Sequence, residues 1–298
     1  MVKETPTQKR APILYFDSGI GGIPYAVHAM NALPQETIVY LADRAGFPYG
    51  TKSPDAVKHA VFSALDRAIE KFKPKVIVIA CNTATEIAIH AVRERYPAIP
   101  IIGTVPAIKP AAEQTRKGRI AVIATNRAVN EPYLDTLVAQ HAGGCALLKL
   151  GASPLVSWIE TSLLTASNEE KMLMLEPYFK QVRSFDADML VLGCTHFLHM
   201  YKEFISAGKP DITIIDSQNG ITKRLMHILE TYNLHSEAPH VLSSSSATNT
   251  SQADELRAAS IEVSTNKHTF WVTGAEPVED RYRQFASMYG FIYKGVLS

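Results

Sequence analysis

Short apolar runs alternate with longer amphipathic stretches along most of the chain. Residues 11–16 are apolar and aromatic and read as a strand. The turn Asp17-Ser18-Gly19-Ile20-Gly21-Gly22 follows, and Pro24 suits a helix start. Residues 38–42 read as a second strand. Residues 56–72 have helical spacing, with Ala60, Ala64, Ile69 and Phe72 near one face, and Pro74 stops the helix. Strand 76–80, helix 83–95 (ended by Pro97) and strand 99–103 come next. The rhythm then restarts, with strands at 120–124, 146–150, 189–192 and 212–215 and helices at 132–140 and 169–185. Strand character returns at 270–274, and 278–288 is the last predicted helix. Residues 1–10 predict a disordered tail, and the Ser-rich stretch 243–252 a surface loop. Strand–helix alternation of this kind predicts an α/β fold of mostly parallel sheets flanked by helices.

Two of the apolar runs end in the same way. One is Val76-Ile77-Val78-Ile79-Ala80-Cys81-Asn82-Thr83; the other is Met189-Leu190-Val191-Leu192-Gly193-Cys194-Thr195-His196. Each reads as a buried strand, a small residue, a cysteine, then short hydrogen-bonding side chains. Open α/β sheets bind ligands at the carboxyl ends of their strands. The repeat predicts two similar lobes, with two thiols able to face each other across one cleft. A facing acid/base pair is what racemisation requires. A lone buried cysteine is usually a small hydrophobe, but two equivalent ones, each followed closely by Thr, point to chemistry. Both precede predicted helices, whose N-termini favour a thiolate. Cys145 follows Gly143-Gly144 without polar company and reads as a packed thiol.

Composition narrows the picture. The 298 residues have room for two domains, and 46% hydrophobic with 20% charged is globular. A net charge of +1 implies neither nucleic acid nor a membrane surface. Three cysteines make no disulfide framework and favour a reducing, cytoplasmic setting. The first ten residues hold no signal-peptide core, and no run approaches the ~20 apolar residues of a membrane span.

The Gly-rich turn reads either as a tight turn needing positive φ or as a nest of N–H groups for an anion. Pro24 stands where a dinucleotide motif needs its third Gly. Pro48-Tyr49-Gly50, with Thr51-Lys52-Ser53 after it, is a turn or a ligand loop offering a phenol and backbone donors to a carboxylate. Cys194, His196 and His199 lack zinc-site spacing, so no metal is expected. His196 reads as an acid or base beside Cys194, and His199 as structural. With no Walker motif and no lysine in a pyridoxal context, no cofactor is expected.

Asp17-Ser18-Gly19, Pro48-Tyr49-Gly50, Cys81-Asn82-Thr83 and Cys194-Thr195-His196, in this order, closely resemble the cofactor-independent glutamate racemases. Aspartate racemases share the double-cysteine plan but usually carry Glu where this chain has His196. The resemblance implies two α/β lobes around the substrate, residues 11–105 with 214–298 forming one and 106–213 the other. It implies that Cys81 and Cys194 are the two bases, Cys81 acting on D-glutamate and Cys194 on L-glutamate. It implies that Asp17 assists Cys81 and His196 assists Cys194. Ser18, Pro48, Tyr49, Gly50, Asn82, Thr83, Thr125 and Thr195 would line the substrate site with them. D-Glutamate for peptidoglycan would be the product, and family members are commonly dimers. Three departures stand out. Ala128 replaces a family threonine, Ser157 stands where an acidic helper is expected with Glu160 nearby, and the segment 43–47 has its own wording.

Overall fold

The structure, a computed structural model, describes residues 9–236 and 267–297. Six parallel strands form the first sheet: β1 (Ile13–Asp17), β2 (Ile38–Ala42), β3 (Val76–Ile79), β4 (Ile101–Gly103), β9 (Thr269–Val272) and β10 (Ile292–Val296). Their order is β10-β9-β2-β1-β3-β4. The second sheet is β6-β5-β7-β8, also parallel, built from β5 (Arg119–Ala124), β6 (Ala146–Gly151), β7 (Met189–Leu192) and β8 (Thr213–Ile215). The order 2-1-3-4 in the first sheet is the order 6-5-7-8 in the second. The α/β fold of two similar parallel sheets therefore stands, and β9 and β10 extend the first.

Burial follows sheet position. Ile13 to Phe16 on central β1 are fully buried, and alternate residues feed opposite faces. Ile13 and Tyr15 join a cluster that continues through Ile123, Leu190 and Phe197 of the second lobe. Leu14 and Phe16 join another with Val61, Leu65, Ile77 and Ile79 under the helices Pro54–Phe72 and Asn82–Arg95. One continuous apolar core thus joins the lobes. Edge strand β10, with exposed Lys294 and half-buried neighbours, lacks such a run and was not readable as a strand.

In each sheet the strand order reverses between two particular strands. β2 lies on one side of β1 and β3 on the other; β6 lies on one side of β5 and β7 on the other. Ligands bind at such switch points, outside the carboxyl ends of the strands. Cys81 follows β3 and Cys194 follows β7, so each thiol stands at the switch point of its own sheet.

Some expectations change. The segment after Cys194 is a 3-10 helix, Thr195–Met200, before the α-helix Tyr201–Gly208. The helices Ile108–Gln114, Ser153–Ser162 and Gln218–Thr231 were not expected; the first two are short and carry a proline. β8 reaches Ile215 in the second sheet, so the return to the first lobe follows that residue. Residues 1–8 of the expected tail, and the loop expected at 243–252, lie outside the described residues. Lys9 is not loose, because its carbonyl accepts bonds from Lys75 Nζ at 2.7 Å and Ser236 Oγ at 3.0 Å.

Candidate active site

The carboxyl ends of both sheets meet around a cavity of about 510 Å³. Cys81 and Cys194 line it, 6% and 7% exposed. The structure also brings Ser18, Pro48, Tyr49, Gly50, Asn82, Thr83, Thr125, Thr195 and His196 to its wall. Asp17 lies just behind, fully buried. Phe47, Ser153 and Val156, not expected from the sequence, also line it, as does Ser157. A larger cavity of about 1720 Å³ lies elsewhere, and neither thiol lines it.

Each thiol heads its own hydrogen-bond chain. Cys81 Sγ donates to Ser18 Oγ at 3.7 Å, and Ser18 donates to Asp17 Oδ1 at 3.1 Å. Asp17 also accepts from Gly19 N–H and, across the cleft, from the Thr195 hydroxyl at 3.0 Å. Burial pushes the Asp17 carboxyl up to about 6, against the pull of His196. Burial and the charge of Asp17 push the Cys81 thiol up, while the Ala84 N–H in the first turn of the following helix works the other way.

The second chain runs from Cys194 through His196 Nδ1 at 3.9 Å, then from His196 Nε2 to Glu160 Oε2 at 2.8 Å. Burial disfavours charge on His196, but its bonds to Cys194 and Glu160 outweigh burial and hold the imidazole well above its usual range. Burial likewise disfavours the Glu160 carboxylate, and the His196 bond outweighs it, keeping that carboxyl below its usual range. Glu160 also accepts from Ile20 N–H at 3.2 Å and from the Tyr282 hydroxyl at 2.9 Å. Of the two residues weighed for this place, Glu160 makes the contact with His196, and Ser157 lines the cavity.

The Gly-rich turn does not need its glycines for positive φ, and its Gly19 and Ile20 N–H groups bond the Asp17 and Glu160 carboxylates. Gly19, Gly21 and Gly22 do not have positive φ. A Cβ on Gly19 would stand 2.7 Å from Glu160 Oε2, and one on Gly21 2.6 Å from the Thr195 hydroxyl and closer still to His196. Glycine is needed here because the second lobe presses against the turn.

Tyr49 also departs from expectation. Its hydroxyl donates to Asp43 Oδ2 at 2.6 Å, and Thr273 Oγ1 donates to the other carboxylate oxygen. The phenol is thus committed to holding the loop and is not a free donor. Thr125 caps the helix Asn126–Asn130 by accepting from Ala128 N–H, leaving its own O–H free to donate. Both nitrogens of His199 are engaged, with Tyr289 and with the Ile20 carbonyl. Among the described residues, no group of three His, Cys, Asp or Glu side chains is arranged to hold a metal. None of their helices is long and apolar enough to cross a membrane.

Comparison with known proteins agrees with this geometry. Residues 23–223 match the Asp/Glu/Hydantoin racemase family. The chain belongs to that family. It is 40% identical to a glutamate racemase of Sphingopyxis alaskensis over 227 residues, 76% of this chain and 84% of the relative. It is 37% identical to one of Clostridium botulinum, over 76% and 87% of the two chains. Among solved structures it is similar to Escherichia coli glutamate racemase in complex with L-glutamate and the activator UDP-MurNAc-Ala. That likeness has a TM-score of 0.78 and 27% identity, and covers 97% of this chain and 98% of the other. As a member of a racemase family, the chain is an isomerase.

Proposed function

We propose that this protein interconverts L- and D-glutamate by two-base proton transfer, with Cys81 and Cys194 as the bases. The observation that carries the reading is the pair of buried thiols, each at a switch point and each heading a separate acid/base chain into one cavity. The glutamate assignment is supported by the curated relatives at 40% and 37% identity.

The charges around the thiols differ. A His196 imidazolium beside Cys194 attracts a thiolate, and that attraction is one reason the imidazole stays protonated. Burial, with Asp17 close by, keeps the Cys81 sulfur a thiol. Reaction from L-glutamate needs Cys194 as the thiolate and Cys81 as the thiol. Cys194 removes the α-proton of L-glutamate, and Cys81 delivers its proton to the opposite face, leaving D-glutamate. The protonation states are now exchanged, and the reverse reaction starts from there. Thr195, Thr125, Gly50 and Thr83 line the cavity, and their polar groups would hold the substrate's charged groups and the developing carbanion. D-Glutamate made in this way would serve peptidoglycan synthesis in the cytoplasm.

Cys81→Ser and Cys194→Ser should each lower racemisation of glutamate by on the order of 10³-fold, the span of a positioned acid/base group. Circular dichroism of enantiopure amino acids follows the reaction, and a panel including aspartate tests the substrate. Full activity in both variants would end the two-thiol reading.

A further inference from the structure

A smaller cavity, with room for about one water, lies behind the candidate active site, walled by Asn82, Glu86, Val122, Ala124, Tyr133 and Gly193 among others. Asn82 follows Cys81 and Gly193 precedes Cys194, so this space touches both thiol-bearing segments. Asn82 Nδ2 donates to the Gly193 carbonyl at 2.7 Å, tying the two segments together. That bond fixes the amide's orientation and leaves Oδ1 as an acceptor. Asn82 is more than nine-tenths buried, and its Oδ1 has no hydrogen-bond partner among the described residues. Glu86 Oε1 is buried in the same condition.

Asn82 and Glu86 stand four residues apart on the helix Asn82–Arg95, so they are neighbours on one face. Neither oxygen bonds the other, since both lack a partner among the described residues. A molecule that donates two hydrogens can satisfy both, and water is the smallest that does so. Burial and nearby Glu131 push Glu86 up to about 7 while Arg127 opposes them, and Tyr133 faces it as well. A carboxyl still partly ionised in such surroundings calls for a donor.

We propose that a bound water occupies this cavity, donating one hydrogen to Asn82 Oδ1 and the other to Glu86 Oε1. Glu86 is thereby a positioning residue, since it steadies the amide that links the two thiol-bearing segments. The proposal rests on the two-thiol reading above. Glu86 touches neither the active-site cavity nor a thiol, so its effect reaches the chemistry only through Asn82.

Glu86→Val removes the second acceptor, and Glu86→Gln keeps one in place. Glu86→Val should lower kcat on glutamate roughly tenfold to a hundredfold, the cost of a small misplacement of reacting groups. KM should change less than kcat, because Glu86 itself does not line the active-site cavity. Glu86→Gln should restore kcat to within about threefold of the parent enzyme. A high-resolution crystal structure of the unaltered protein should show water within hydrogen-bond distance of both oxygens. Normal kcat in Glu86→Val, equal loss in both variants, an empty cavity, or activity that tracks added ammonium would each overturn the proposal. If Glu86→Val fails to fold, the crystal structure still decides. An unaltered enzyme that racemises no glutamate would instead undo the functional reading on which this one stands.

Discussion

Glu160 receives three donors: His196 Nε2–H, Ile20 N–H and the Tyr282 hydroxyl. A carboxylate, which only accepts, suits all three. Glu160→Gln keeps the shape but turns one oxygen into an NH₂ group, so at least one buried donor then loses its acceptor. An unsatisfied buried group costs about 1–3 kcal/mol. For a chain of this size that corresponds to a fall of roughly 2–5 °C in Tm. The change also removes a charge-assisted bond to His196 of about 1.5–3 kcal/mol. The imidazolium loses that support, and Cys194 loses its cationic neighbour. At 1.36 kcal/mol per decade, kcat/KM should fall about 10- to 150-fold.

The direction of the effect is constrained as well. The equilibrium constant of racemisation is fixed by symmetry, so kcat/KM must fall equally for L- and D-glutamate. Only kcat and KM taken singly can shift unevenly. Circular dichroism started from each enantiomer gives both ratios, and differential scanning calorimetry gives Tm. Activity within threefold of the parent, with an unchanged Tm, would refute the role given to the Glu160–His196 pair.

His199 is buried, and that burial pushes it down to about 4, so it folds neutral. Below its unfolded value of about 6.5 the unfolded chain binds a proton that the native chain refuses, so stability falls as pH drops toward 4, by about 3 kcal/mol. Urea unfolding across that window should show a shallower loss in His199→Gln than in the parent; parallel curves would refute the assignment. Asp43→Asn leaves either the Tyr49 or the Thr273 hydroxyl without its acceptor. The loop that carries Gly50 should loosen, raising KM for glutamate roughly tenfold with a smaller change in kcat, and steady-state kinetics showing the reverse split would count against it.

The buried strands were legible because β1, β3, β5 and β7 are covered on both faces and so read as unbroken apolar runs. Both cysteines were found for the same reason, since the end of such a run marks the carboxyl edge of a sheet. The resemblance supplied the motif residues, and most of them, though not Pro48, Tyr49 and Gly50, lie within a few positions of a strand end. Glu160 was not placed because its partners are 36, 122 and 140 residues away, and no local pattern encodes such a meeting. Asp43 was missed likewise, its second partner being 230 residues distant. The Gly-rich turn misled because glycine has two uses. Sequence suggests backbone freedom, whereas here the need is for space against a side chain from the other lobe.

The contacts across the cleft are crossed, so the setting of each thiol depends on the other lobe. Asn82 follows Cys81 and bonds the carbonyl just before Cys194. Thr195 follows Cys194 and bonds Asp17, which belongs to the Cys81 chain. Glu160 of the second lobe holds His196 while accepting from Ile20 of the first. Arg127 donates across the same boundary to the Lys52 carbonyl at 2.9 Å. Both thiols are more than nine-tenths buried, and these bonds hold the segments that carry them in one arrangement. Spacing, charge pattern and dryness therefore depend on the same contacts between the lobes. A weak carbon acid is thus exposed to the proposed bases only where its carbanion is held and water is shut out.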